Sequence, residues 1–124
     1  MTDRQLVIAG ALMLLIGVGA GAFGAHGLKR LISPDMLAVW QTAVLYQLVH
    51  GLGMLLIAIL FARFSPSLLG LAGSVMLLGI LIFSGSLYVL VLTDVKWLGA
   101  ITPIGGAAFL AAWAMVAVAA YRAG

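Results

Sequence analysis

The side chains able to do chemistry are few, and the densest group lies in one stretch. Thr42, Tyr46 and His50 recur every four residues, and Gln47 stands three before His50. On a helix this spacing puts all four on one broad face. Ser84, Ser86 and Tyr88 form a second group, and His26, Trp40 and Thr102 stand apart from both. Imidazole, amide, phenol and hydroxyl groups can relay a proton, hold a polar head, or fasten helices together. Histidine-based catalysis also needs a nucleophile or an orienting acid within reach. The chain has no glutamate, and its three acids are Asp3, Asp35 and Asp94. No carboxylate falls near His50, so catalysis there is not expected. His26 beside Asp35 or Asp94 is the one arrangement left for an enzyme acting on a lipid, and a non-enzymatic protein is the leading expectation.

Metal and cofactor chemistry is equally thin. Without cysteine there is no thiolate ligand or disulfide. Two histidines can hold a haem only at equal depth, yet His26 should lie about 18 Å from the level of His50 at 1.5 Å per residue. No metal and no cofactor are expected.

These residues sit in a chain of 124 with a mean hydropathy of +1.30, 65% apolar and only 7% charged. Soluble domains carry about 25% charged residues, so a water-soluble enzyme is excluded, as is disorder. The charged residues cut the chain into four neutral runs, between Arg4 and Lys29, Asp35 and Arg63, Arg63 and Asp94, and Lys96 and Arg122. Each holds one crossing of a hydrocarbon core that needs roughly 20 residues of helix. The expected fold is all-α: a single membrane domain over residues 1–124, with four transmembrane helices in an antiparallel up-down bundle. The spans are expected at residues 6–23, 37–61, 68–92 and 98–121. Four strands could not close a barrel. Arg4, the apolar run after it and Ala20-Gly21-Ala22 resemble a signal peptide; the stretch is read as a true first span. Ser33-Pro34, Ser65-Pro66 and Thr102-Pro103 have the form of helix starts. The third leaves two possibilities, a start at Pro103 or an earlier start with a kink there.

Ordered by depth, the polar residues gather in the half of the bundle nearer Lys29 and Lys96. Polar faces at membrane depth should look inward, since lipid offers no hydrogen-bond partner. His50 is expected to be a neutral imidazole that donates one bond and accepts another. Gln47 and His50 either staple helices or line a pocket, and the staple reading leads. Gly17, Gly21, Gly24, Gly70, Gly73, Gly105 and Gly106 are read as sites of close helix packing. Lys and Arg number three on each side, at Arg4, Arg63 and Arg122 against Lys29, Arg30 and Lys96, so the positive-inside rule gives a tie. The net charge of +3 is scattered singly, which favours lipid headgroups over nucleic acid as neighbours.

Four blocks carry a resemblance. They are Gly21-Ala22-Phe23-Gly24-Ala25-His26-Gly27-Leu28; Trp40-Gln41-Thr42-Ala43 with Tyr46-Gln47 and His50; Phe83-Ser84-Gly85-Ser86-Leu87-Tyr88; and Thr102-Pro103-Ile104-Gly105-Gly106 with Trp113. Together they resemble the YgdD-like family of small membrane proteins, a domain of unknown function with mitochondrial relatives in animals. The resemblance implies four helices, an inner-membrane location and cytoplasmic termini. It supplies no activity, substrate or catalytic residue. The expected role is a scaffold or accessory subunit surrounded by membrane lipids, forming a homo-oligomer or joining a larger membrane complex. The alternative is a binding module for a lipid or quinone-like amphiphile between spans two, three and four, with His26, Trp40, Gln47, His50, Ser84, Tyr88 and Thr102 as polar anchors.

Overall fold

The computed structural model describes all residues 1–124 and contains four long helices: α1 (Asp3–Ala25), α2 (Pro34–Leu60), α3 (Pro66–Thr93) and α4 (Thr102–Ala123). Their 23, 27, 28 and 22 residues give lengths of about 33 to 42 Å at 1.5 Å per residue, enough to cross a hydrocarbon core about 30 Å thick. The termini and the Arg63 turn lie at one end, and the α1–α2 and α3–α4 connections at the other.

The ends of the helices follow local chemistry. Ser33 and Ser65 accept hydrogen bonds from the backbone N–H groups of Met36 and Leu68, with Pro34 and Pro66 at the first helical positions. A capping box outside the sequence reading starts α1: Thr2 Oγ1 accepts from Gln5 N–H, while Gln5 Oε1 accepts from Thr2 N–H. The box starts the first helix three residues before the expected residue 6, and the helix also runs two residues past 23. The third helix stops at Asp94, whose φ of 57° is left-handed.

Thr102-Pro103 behaves differently from the two Ser-Pro pairs. Lys96–Ala100 winds as a 3₁₀ helix and passes through Ile101 into α4 without a capping side chain. Thr102 is already helical, and its hydroxyl meets Ser86 Oγ at 2.6 Å. That bond sets the start of α4 level with Ser86, about 10 Å below the end of α3 at Thr93. The five-residue 3₁₀ segment descends over about the same height at roughly 2 Å per residue. The α-helix of span four begins at the Thr102-Pro103 pair, and the residues before it wind as a separate 3₁₀ segment.

The helices pack in chain order: α1 against α2, α2 against α3, and α3 against α4. The central pair, α2 and α3, supplies most of the buried residues, and the outer helices α1 and α4 have most of their surface outward. Two apolar clusters fill the interior. One, built from Leu6, Met54, Ile57, Leu69, Met76 and Ile80 with Phe109 and Ala112 of α4, occupies the terminal half. The other, built from Leu28, Trp40, Val44, Leu90 and Val91, occupies the half near Lys96. Outward Leu15, Ile59 and Leu110 present the apolar surface that lipid covers.

Candidate functional site

Gln47 and His50, neighbours on α2, face opposite outer helices. Gln47 is buried and spans three elements: its Nε2 donates to Met13 O of α1 at 2.8 Å, and its Oε1 accepts from Tyr88 OH of α3 at 2.6 Å. Trp40 repeats this contact nearer the membrane surface, its Nε1 donating to Ala20 O at 2.8 Å while its ring packs 4.7 Å from that of Tyr88. Ser84, fully buried, joins the central pair by donating to Ala43 O at 2.7 Å.

Glycine explains why those two α1 carbonyls are open to a second donor. A helical carbonyl already accepts the N–H four residues on, and the side chain at that residue shields it. The residues four beyond Met13 and Ala20 are Gly17 and Gly24. A Cβ on Gly24 would lie 2.6 Å from Trp40 Cδ1 and 2.8 Å from Nε1, and one on Gly17 would meet Leu48 at 2.8 Å and Gln47 Cγ at 3.5 Å. Each glycine thus leaves a carbonyl open; Gly24 also makes room for Trp40, which uses it, whereas Gly17 makes room for Leu48 beside Gln47.

The α4 side carries a separate set. Trp113 Nε1 can only donate, so at 3.1 Å from His50 Nε2 it requires that nitrogen to accept. The proton then sits on Nδ1, which donates to Tyr46 O at 2.8 Å. This is a neutral imidazole with both nitrogens engaged. The ring also stacks on Phe109 at 3.6 Å and 11°. Ser86 and Thr102 complete the set through their 2.6 Å hydroxyl contact.

The sequence-derived residues therefore fall into three groups rather than one pocket. Trp40, Gln47 and Tyr88 look towards α1; His50 and Ser86 look towards α4, where Thr102 meets Ser86; Ser84 lies between α2 and α3. Thr42 is exposed, its hydroxyl donating to Ala38 O of its own helix, because eight residues of helix rotate it about 80° from His50. His26 is exposed at the end of α1, where its backbone N–H donates to Ala22 O, and its imidazole has no hydrogen-bond partner in the chain. Tyr46 lies half outward, its ring 4.4 Å from that of Phe83. A Cβ on Gly21 would contact Val44 at 3.3 Å, on Gly70 it would strike Met1 O, on Gly73 it would strike Leu6, and on Gly105 it would overlap Phe83. Gly106 is different: a Cβ there would come no closer than 3.9 Å to anything outside its own helix. Trp113, noted in the sequence only as part of a motif, proves to be the partner of His50, and the Met13 and Ala20 carbonyls have no side-chain signature beyond the glycines that follow them. No group of three His, Cys, Asp or Glu side chains comes together to hold a metal.

Comparison with known proteins places this geometry in a lineage. The model of a family described as "Protein of unknown function (DUF423)" matches residues 20–106. The chain belongs to the DUF423 family. All four motif blocks fall within that range apart from Trp113. A UPF0382 membrane protein of Staphylococcus haemolyticus is 46% identical over 119 residues, covering 96% of this chain and 97% of its own. UPF0382 membrane protein YwdK of Bacillus subtilis is 47% identical over 120 residues, covering 96% and 98%. No solved structure matches. This DUF423 member is a membrane protein of a family whose function is unknown, in agreement with the resemblance carried by the motif blocks.

Proposed function

We propose that this DUF423 protein is a non-catalytic scaffold or accessory subunit of the inner membrane, with both termini cytoplasmic. One observation carries the reading: the inward polar side chains spend their hydrogen bonds on neighbouring helices of the same chain. Gln47 is engaged at both its amide nitrogen and oxygen by α1 and α3, and both ring nitrogens of His50 by its own helix and α4. A general base needs a free nitrogen within reach of its substrate, and His50 offers neither of its two. The polar groups build a fixed shape, and shape is what a scaffold contributes. Helical spans rather than strands support an inner-membrane setting over an outer-membrane barrel.

Affinity purification from native membranes in mild detergent, with mass spectrometry of proteins and lipids together, tests the role. Recovery with a defined partner or as a homo-oligomer is expected; free monomers alone would overturn it. For orientation, a C-terminal fusion to green fluorescent protein should fluoresce, while a fusion to alkaline phosphatase should be inactive. The reverse pattern would place the termini outside.

A further inference from the structure

The polar side chains near the middle of the spans are Tyr46, Gln47, His50, Ser84 and Trp113. Four of them are hydrogen-bonded inside the protein. Tyr46 is the exception: its ring lies half outward and its hydroxyl has no partner in the chain. The residue sits about 18 Å along an α2 helix about 40 Å long, well within the hydrocarbon core. A hydroxyl left unpaired there carries a desolvation cost of several kcal/mol.

Tyr46 forms one wall of a cleft of about 490 Å³ that opens to lipid between α2 and α4. The floor is Phe83 of α3, and the remaining walls are His50, Phe109, Trp113 and the small face of Gly106 and Ala107. Tyr46, Phe109 and His50 lie nearly parallel, at 20° and 11°, while Phe83 tilts 33° from Tyr46 and Trp113 53° from His50, so the lining offers aromatic faces and edges to an aromatic ring. Gly106 is the second independent sign. Its neighbour Gly105 is needed for α3 and α4 to meet, since a Cβ there would lie 2.5 Å from Phe83 N. Gly106 meets no such obstacle, and what its missing side chain preserves is the open mouth of the cleft.

We propose that this cleft binds a neutral, planar, carbonyl-bearing amphiphile of the quinone class, with the Tyr46 hydroxyl donating to a ring carbonyl. Depth selects the class. A phospholipid keeps its polar atoms at the membrane surface, and a charged ring would pay a prohibitive desolvation cost at this level. A ring carbonyl on an apolar molecule brings an acceptor to the level of Tyr46. The cleft volume lies within the usual range for small-molecule sites, about 300–1,000 Å³. The site does not depend on the scaffold role, since a protein without catalysis can carry a bound amphiphile.

Trp113 lines the cleft, and a quinone placed there quenches its fluorescence. The purified protein in nanodiscs is titrated with decylubiquinone, following tryptophan emission. Saturable quenching is expected for the wild type. It should weaken about fivefold to tenfold in Tyr46→Phe, the equivalent of one lost hydrogen bond, and vanish in Gly106→Leu. Gly19→Leu, altered at an outward position with nothing within 4 Å, should titrate as the wild type. Non-saturable quenching, or equal saturation in wild type and Tyr46→Phe, overturns the proposal. So does a wild-type dimer that Tyr46→Phe converts to monomer without affecting quenching, because the hydroxyl would then serve a second copy of the chain. Should Gly106→Leu fail to fold, Tyr46→Phe decides alone.

Discussion

Most of the polar residues inside this protein act as donors to a backbone carbonyl on another helix or as acceptors for a neighbouring side chain, and on α1 both accepting carbonyls are followed four residues later by a glycine. Gly24→Ala should push Trp40 off Ala20 O and destabilise the protein by about 1–3 kcal/mol, the range for overpacking. Gly19→Ala, facing open space, should be neutral or slightly stabilising. Unfolding in mixed micelles with increasing SDS separates the two. Gln47→Leu should cost about 1–2 kcal/mol, leaving Tyr88 OH without its acceptor. Adding Tyr88→Phe should restore part of the loss, because two absent polar groups cost less than one orphan. A double mutant as unstable as the sum of the singles would refute the pairing. The sequence reveals that Gln47 and His50 turn inward, since lipid offers them nothing. It does not reveal that they turn towards different helices, because adjacent faces of α2 diverge by an angle that only the placement of α1 and α4 makes meaningful. For the same reason Thr42 was legible as part of a four-residue series but not as the member that rotates out.

At the scale of the element, charge spacing makes the four helices legible and serine–proline pairs locate two of their starts. The first helix begins earlier than hydropathy implies because Thr2 and Gln5 cap it through short-range polar bonds that an apolar window does not register. Thr102-Pro103 looks like its serine counterparts in sequence and differs in space because Ser86 captures the hydroxyl. Ser33→Ala should therefore cost about 1 kcal/mol through lost capping. Thr102→Ser should be nearly silent, and Thr102→Val should lose the link between α3 and α4 without fraying a helix start. Hydrogen exchange measured by mass spectrometry distinguishes the outcomes: faster exchange at residues 35–37 for Ser33→Ala, and unchanged exchange at residues 104–106 for Thr102→Val.

Across the whole molecule, four crossings put the Arg63 turn and the α1–α2 connection on opposite surfaces. The chain contains no cysteine, so single cysteines report position without background. A membrane-impermeant maleimide should label Lys29→Cys from one side of sealed vesicles and Ala62→Cys only from the other. Labelling of both from the same side would rule out this arrangement.

The side-chain bonds between helices are distributed unevenly along the membrane normal. Trp40, Gln47, Ser84, Ser86 and His50 tie the helices from the Lys96 end to the middle. Beyond the middle, apart from the contact of Met1 with Gly70 and Ser74, apolar side chains and close-set glycines carry the packing. The bundle is bound like a sheaf above its waist. Under a thinner bilayer or rising lateral tension, the stalks are expected to fan apart at the Arg63 end first, and spin-label distances across the two ends would report it.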